Sequence, residues 1–238
     1  MNYNPYQKLV GEFSINDGTI DFYLRIKSLL KEEFKVIDFG AGRASWFLED
    51  NNKIRKEIRL IKGKVKKVIA IDIDQSVLEN KASDEQILVT NNEIKIEKNS
   101  IDLIIADYVL EHIQNEEIFI SQINELLKSG GWFCARTPHK YSYISLLSSI
   151  VKNDYHSKFL NKTQPFRKKE DVFATFYKLN TLRKIKKMFK GWENKSFIFK
   201  SDPAYYFGNK YIFNLQDIFH KISPKFLSGN IFIFVKKP

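Results

Sequence analysis

The chain has a single cysteine, Cys134, in 238 residues. One thiol can neither close an intrachain disulfide nor supply a cysteine-based metal cluster, so stability has to come from a buried core. A chain of this length can form one such core with a small appended cap. No apolar run approaches the roughly 18 residues that a membrane span requires. The opening stretch, Met1 to Val10, is polar and lacks the apolar segment of a secretory leader. These absences predict a soluble, cytoplasmic protein, and a hydrophobic content of 43% excludes a disordered one. Acidic residues are scarce in one half only. Residues 140–238 hold 20 Lys and Arg against 6 Asp and Glu, whereas residues 1–139 hold 19 against 22, so the net charge of +11 belongs to the C-terminal part. Such a field can attract an anionic partner: a phosphorylated small molecule, a nucleotide-sugar or lipid-linked glycan, RNA, or an acidic membrane surface. The same counts also describe an ordinary lysine-rich solvated surface.

The informative stretch is Lys35-Val-Ile-Asp-Phe-Gly-Ala-Gly-Arg-Ala44. Val36, Ile37 and Phe39 read as a buried parallel strand, and Gly40 and Gly42 follow at once as a turn where backbone can take φ > 0 and a ligand can approach the main chain. The N–H groups opening the next helix are expected to favour polar or anionic ligand groups. Asp38-x-Gly40-x-Gly42-x-Ala44 differs from the dinucleotide fingerprint G-x-G-x-x-G, because the glycines come earlier and an acid precedes them.

Before this strand, Asp17 to Leu30 has the spacing of an amphipathic helix, with Phe22 or Tyr23 able to reach a ligand or pack on a sheet. After it, Glu49 to Lys67 is highly charged and reads as a solvated helix or insertion. Val68 to Ile71 is a second buried strand that ends on Asp72-Ile73-Asp74. An acid there can accept hydrogen bonds from ribose hydroxyls; Asp72 suits that role, and Asp74 suits a cap on the next turn. Glu85 to Thr90 is a weaker third strand, followed by Asn91-Asn92. Ser100 to Ala106 is the fourth, followed by Asp107-Tyr108-Val-Leu-Glu111-His112. Glu116 to Lys128 reads as a helix capped by Gly130, and Gly131 to Pro138 as the fifth strand. Leu179 to Lys190 reads as a basic amphipathic helix, either covering the sheet or lying on a membrane. Trp192 to Phe199 and Gly229 to Val235 complete seven strands, with a helix at Leu215 to Ile222 before the last.

The glycine turn resembles motif I of the class I S-adenosylmethionine-dependent methyltransferases. Ile101-Asp-Leu-Ile-Ile-Ala-Asp-Tyr-Val-Leu-Glu-His112 is similar to motif IV of the type 11 methyltransferase domains, and Leu-Leu-Lys-Ser-Gly-Gly-Trp-Phe133 to the sequence that precedes their fifth strand. Glu170 to Leu182 also resembles a bacterial subgroup of that type. The resemblance implies an α/β fold: a Rossmann-like seven-stranded sheet, six strands parallel and the last antiparallel, forming one domain over 1–238 with a substrate-cap insertion at 139–178. It implies S-adenosylmethionine held by Asp38, Gly40, Ala41, Gly42, Asp72, Ile73, Asn92, Asp107 and Tyr108. His112 and His139 are the expected bases for removing a hydroxyl proton, and Arg136, Arg167 and Lys168 the expected acceptor-binding groups. No Asn/Asp-Pro-Pro-Tyr/Phe or Pro-Cys follows the fourth strand, as base-amino and pyrimidine-carbon methyltransferases require. Tyr108 stands where the metal-assisted quinone enzymes have their first Glu, so no metal is expected. The acceptor expected is a small sugar- or quinone-like molecule; an RNA acceptor bound by the basic surface, and a non-catalytic binding module, are the competing readings.

Overall fold

The structure is a computed structural model that describes residues 3–91, 93–150 and 174–238. Its centre is a sheet of eight strands: β1 Lys35–Phe39, β2 Lys67–Asp72, β3 Glu85–Leu88, β4 Ile101–Asp107, β5 Leu127–Pro138, β6 Glu193–Asn194, β7 Phe197–Phe199 and β8 Asn230–Lys236. The strand order is β3-β2-β1-β4-β5-β8-β6, with β7 also paired to β8. Strands β1 to β5 pair in parallel, and β8 is antiparallel to β5, β6 and β7. The sixth strand expected at Trp192 to Phe199 is therefore two short strands, which raises the count from seven to eight. The break falls at Lys195 and Ser196, where Lys195 N–H donates to Phe234 O and Asn194 Oδ1 accepts from Ser196 N–H.

Alternation along the strands builds two apolar layers. Ile37, Ile104, Phe133 and Ile231 point to one face, where Phe119, Ile123 and Leu126 of α4 (Glu116–Leu126) meet Ile185 and Phe189. Val36, Leu103, Ile105, Cys134 and Phe232 point to the other, against Phe22, Tyr23 and Ile26 of α1 (Gly18–Leu29). Side chains that alternate between two helix-covered faces explain why the strands read as continuous apolar runs. Between α1 and α4 lie α2 (Ser45–Glu49) and α3 (Lys53–Arg59); after β5 come α5 (Tyr143–Ile150), α6 (Leu182–Met188), α7 (Lys210–Ile222) and α8 (Lys225–Ser228). Asp17 caps α1 by accepting from Thr19 and Ile20 N–H, Asn115 caps α4 and Asn209 caps α7. Ile185 of α6 and Phe189 just after it pack into the core, so of the two readings of this basic helix the sheet-covering one holds. Among the described residues, no helix is long and apolar enough to cross a membrane.

The end of α4 departs from expectation. The helix stops at Leu126, and Gly130 lies inside β5 instead of capping it. Ile101 pairs with Leu127 and Leu103 with Trp132, so extra residues bulge from β5, and Gly130 turns there with φ +77°. Lys128, read as the last helical residue, lies in β5 and reaches Asp102 at 2.6 Å.

Candidate active site

From β1 the chain passes outward to β2 and β3 on one side, while β4 and β5 lie on the other, so the carboxyl ends of β1 and β4 flank the switch point of the sheet. The glycine turn follows β1. Gly40 has φ +67°, and a Cβ there would stand 2.6 Å from Val109 Cγ2; Gly42 has φ +48° and space around it. Three of the turn's donors are engaged by the protein itself. Gly40 and Ala41 N–H both donate to Ile71 O, at 2.8 and 3.2 Å, and Gly42 N–H donates to Asp72 Oδ2 at 2.8 Å. These three N–H groups are spent within the protein, ahead of those that open α2. What the turn offers is close backbone approach, which suits a ligand without a phosphate at this point.

Asp72 ends β2 beside that turn and also accepts from Asp74 N–H at 3.0 Å. Burial pushes its carboxyl up, against the backbone N–H groups of Asp74, Gly42 and Ile73 that hold it down. Asp74 points elsewhere: it caps the following turn by accepting from Ser76 N–H at 2.7 Å, and the Ser76 contacts hold it below the usual carboxylate range. Next to Asp72, Ile73 leaves 66% of its surface in solvent. Asn92, Arg167 and Lys168 lie outside the described residues, as does most of the expected cap.

At the end of β4 stands a buried ion cluster that the sequence did not disclose. Asp107 accepts from Arg136 Nε and Nη2 at 2.5 and 3.0 Å, from Tyr23 Oη at 3.1 Å, and meets Arg59 Nη2 at 3.0 Å. Burial opposes its ionisation, but Arg136 and Arg59 hold it below the usual range. Arg136 Nη1 donates to Thr19 Oγ1 at 3.0 Å, so the fork expected to bind acceptor is committed inside the protein, over Phe22 and Tyr108. Tyr108 takes φ +58°, its N–H donates to Arg136 O and its Oη accepts from Asn230 Nδ2. Beneath the cluster, burial pushes Asp38 up to about 7, with Asp107 and Asp72 adding to the rise and Arg59 opposing it. Arg59 comes from the charged passage read as solvated. A signal was present: Ile58 and Ile61 join the core against α1 and turn this end of α3 inward, whereas Ile54 stays exposed.

The two histidines differ. His112 sits in the turn after β4, and its Nδ1 lies 2.8 Å from Ala174 O. His139 is 6% exposed, packed between Tyr141 and Phe226, and burial lowers its pKa. Its Nδ1 accepts from Tyr141 N–H at 3.2 Å, which leaves the ring proton on Nε2 and that lone pair occupied. Next to His112 stands Glu111, to which the sequence assigns no role. It is 5% exposed and accepts from Thr137 Oγ1 at 2.7 Å. Burial pushes Glu111 up to about 7, against the Thr137 bond.

A sheet of this order, with a glycine turn after β1, an acid after β2 and ionisable side chains after β4, has the layout of a Rossmann-like class I methyltransferase. The chain belongs to the methyltransferase domain family, whose model matches residues 15–191. That match is coarser than the type 11 bacterial subgroup expected from the sequence. No curated protein matches the chain in sequence. Among solved structures, a SAM-dependent methyltransferase from Archaeoglobus fulgidus is similar at 15% identity and TM-score 0.54, covering 92% of each chain. A putative methyltransferase of Haloferax volcanii, in complex with the activator Trm112, is similar at 12% identity and TM-score 0.55, covering 94% of this chain and all of that one. Phosphoethanolamine N-methyltransferase 2 of Haemonchus contortus, with S-adenosylhomocysteine and phosphomonomethylethanolamine, is similar at 13% identity and TM-score 0.54, covering 92% of this chain and 52% of that one. At these identities the likeness is one of fold.

Proposed function

We propose that this methyltransferase uses S-adenosylmethionine to methylate an oxygen of a small, anionic sugar- or quinone-like acceptor. The observation that carries the cofactor reading is the edge formed by Gly42, Asp72 and Ile73. Asp72 accepts Gly42 N–H on one oxygen and Asp74 N–H on the other, with Ile73 N–H also directed at it, and a carboxylate offers about four acceptor positions, so capacity remains for a ribose hydroxyl. Ile73 beside it supplies an exposed apolar surface that a flat base would cover. Gly40 and Ala41 spend their N–H groups on Ile71, which fits a cofactor whose reactive end is zwitterionic and carries no phosphate. When bound, S-adenosylmethionine supplies an electrophilic methyl group on a sulfonium.

The rest of the work belongs to the chain. Asp38, Asp107 and Tyr108 border the methionine end, and Asp107 is kept anionic and fixed in place by Arg136. Glu111, poised near neutrality, is the better-supported base for a hydroxyl acceptor; His112 stands next to it, and His139 has its Nδ1 engaged. Arg136 acts through Asp107, so acceptor contacts fall to the 139–178 region, with Arg167 and Lys168 still proposed as anion-binding groups there.

The basic C-terminal part keeps RNA as the second reading. The test is transfer of labelled methyl from S-adenosylmethionine to a panel of phenols, quinols and phosphorylated sugars, with total RNA in parallel. Label on a small hydroxyl compound, falling when Glu111 is changed to Gln, supports the proposal. Label on RNA alone, with steep salt dependence, replaces it by the second reading.

A further inference from the structure

Helix α7 stands in the fold with its polarity reversed. The side that meets the protein carries Phe213, against the rings of Tyr3, Tyr6 and Tyr206, together with Gln216 and His220. His220 is 5% exposed, lies against the Tyr143 ring and has its Nδ1 2.9 Å from Ser201 O. The opposite side carries Tyr211, Leu215, Ile218 and Ile222 at helical spacing, and they leave 84%, 70%, 56% and 79% of their surface in solvent. An ordinary surface helix does the reverse, turning its apolar stripe to the core and its polar residues to water. With a rise of about 1.5 Å per residue the exposed stripe runs roughly 16 Å. Phe226 of α8, 41% exposed, follows it in the chain.

The charges around the stripe indicate what covers it. From Tyr211 to the end of α8 the only acid is Asp217, and Lys221 pairs it at 2.7 Å. Lys200 Nζ donates to Ser223 O at 3.3 Å where α7 ends, Lys225 opens α8, and Lys210 precedes Tyr211 at the other end of the stripe. Cations therefore stand at both ends, within the half of the chain that holds 20 Lys and Arg against 6 Asp and Glu. A second copy of the chain would bring this cationic rim against itself, and a nucleic acid gains little from a row of aliphatic side chains. An anionic lipid surface complements both features: its headgroups take the lysines, and the edge of its acyl region takes Leu215, Ile218, Ile222 and the amphipathic ring of Tyr211.

We propose that α7 is a membrane-docking helix, lying in the plane of an anionic bilayer with Tyr211, Leu215, Ile218 and Ile222 inserted among the headgroups. Since α6 covers the sheet, contact with a membrane falls to α7. The inference does not rest on the cofactor reading, but it bears on the candidate site. His220 Nδ1 donates to Ser201 O, Asn230 Nδ2 donates to Ser201 Oγ, and that same amide nitrogen donates to Tyr108 Oη. These hydrogen bonds tie the docking helix to the tyrosine after β4, at the edge of the sheet that carries the site.

The experiment is vesicle flotation with the full chain, on phosphatidylcholine alone and on phosphatidylcholine with about one-third phosphatidylglycerol. The wild type should float with the anionic vesicles and stay in solution beside the neutral ones. The stripe variant Leu215→Gln/Ile222→Gln changes two positions that already face solvent, so it should keep the wild-type melting temperature. Its partition onto anionic vesicles should fall about 10- to 100-fold, as for two aliphatic side chains partly withdrawn from water. Lys210→Gln/Lys225→Gln should weaken the same binding about fivefold per lysine. A folded stripe variant that binds as well as the wild type would reduce the contact to electrostatic adsorption and overturn the proposal. So would a wild type that binds neither vesicle. A wild-type dimer that the stripe variant splits, seen by sedimentation in the absence of vesicle binding, would assign the stripe to a second copy instead.

Discussion

Changing Asp107 to Asn removes one negative charge and almost no volume. Asp107 and Arg136 are each 4% exposed at their side chains and Arg59 is 21% exposed, so solvent screens this cluster little. Without the carboxylate, two guanidiniums face each other across a neutral amide. Removing one partner of a buried ion pair costs about 3–5 kcal/mol, chiefly because the other charge is left uncompensated. For a domain of this size each kcal/mol moves the melting temperature by roughly 2–4 °C, so Asp107→Asn should melt about 6–20 °C lower at pH 7. The pH dependence follows from the sign of the shift. Arg136 and Arg59 hold Asp107 below its unfolded value of about 3.9, so its contribution is present above that value and is lost as pH falls through the folded one. The gap between wild type and variant should hold from pH 8 to about pH 5 and close below about pH 4. The double variant Asp107→Asn/Arg136→Met should recover part of the loss, because it removes one of the stranded cations. Thermal and urea unfolding measure all three. A gap under about 1 kcal/mol at pH 7, or one that widens as pH falls, would refute the account of the cluster.

Glu111 predicts the opposite pH behaviour. Burial raises it from 4.5 to about 7, so folding disfavours its charge: its destabilising effect is absent below its unfolded pKa and grows as pH rises toward 7. Glu111→Gln should be more stable than wild type at pH 8, on the order of 2 kcal/mol, and no more stable at pH 4, as urea titrations at the two pH values would reveal. If Glu111 is the base, the same variant should lose about 10²- to 10⁴-fold in turnover with S-adenosylhomocysteine affinity unchanged, a split that kinetics and calorimetry separate. Gly40→Ala places a Cβ 2.6 Å from Val109 Cγ2 in a residue of φ +67°, and should cost about 1–3 kcal/mol. Adding Val109→Ala should relieve the clash but not the backbone strain, which a denaturation series would show as a partial rescue.

The sheet was legible where one strand's own residues determine it. Val68 to Ile71 and Leu103 to Ala106 are buried on both faces, so each reads as an unbroken apolar run, as does the pair Val36-Ile37 before Asp38, and polar residues follow at their ends. Asp72 and Asp74 could be told apart for the same reason, since only one directly follows the apolar run. What stayed hidden depends on partners distant in sequence. The division of Trp192 to Phe199 into β6 and β7 is set by how each half pairs with β8. The bulge at Gly130 is set by the pairing of Ile101 and Leu103, and it shortens α4. Arg59 looked like one more charge in a solvated passage because Asp107 lies 48 residues further on, and nothing local shows that the two meet. Glu111 was overshadowed by its neighbour: a histidine advertises proton transfer at its ordinary pKa, whereas a glutamate becomes a base near pH 7 only through burial, which the sequence does not display.

The central claim is that S-adenosylmethionine binds along the edge of Gly42, Asp72 and Ile73. Titration of S-adenosylhomocysteine into the wild-type chain and into Asp72→Ala, followed by calorimetry, tests it most directly. The account predicts micromolar binding by the wild type and a loss of about 10-fold or more when the ribose-facing carboxylate is removed. A folded wild-type chain that does not bind, or an Asp72→Ala variant that binds equally well, would contradict it.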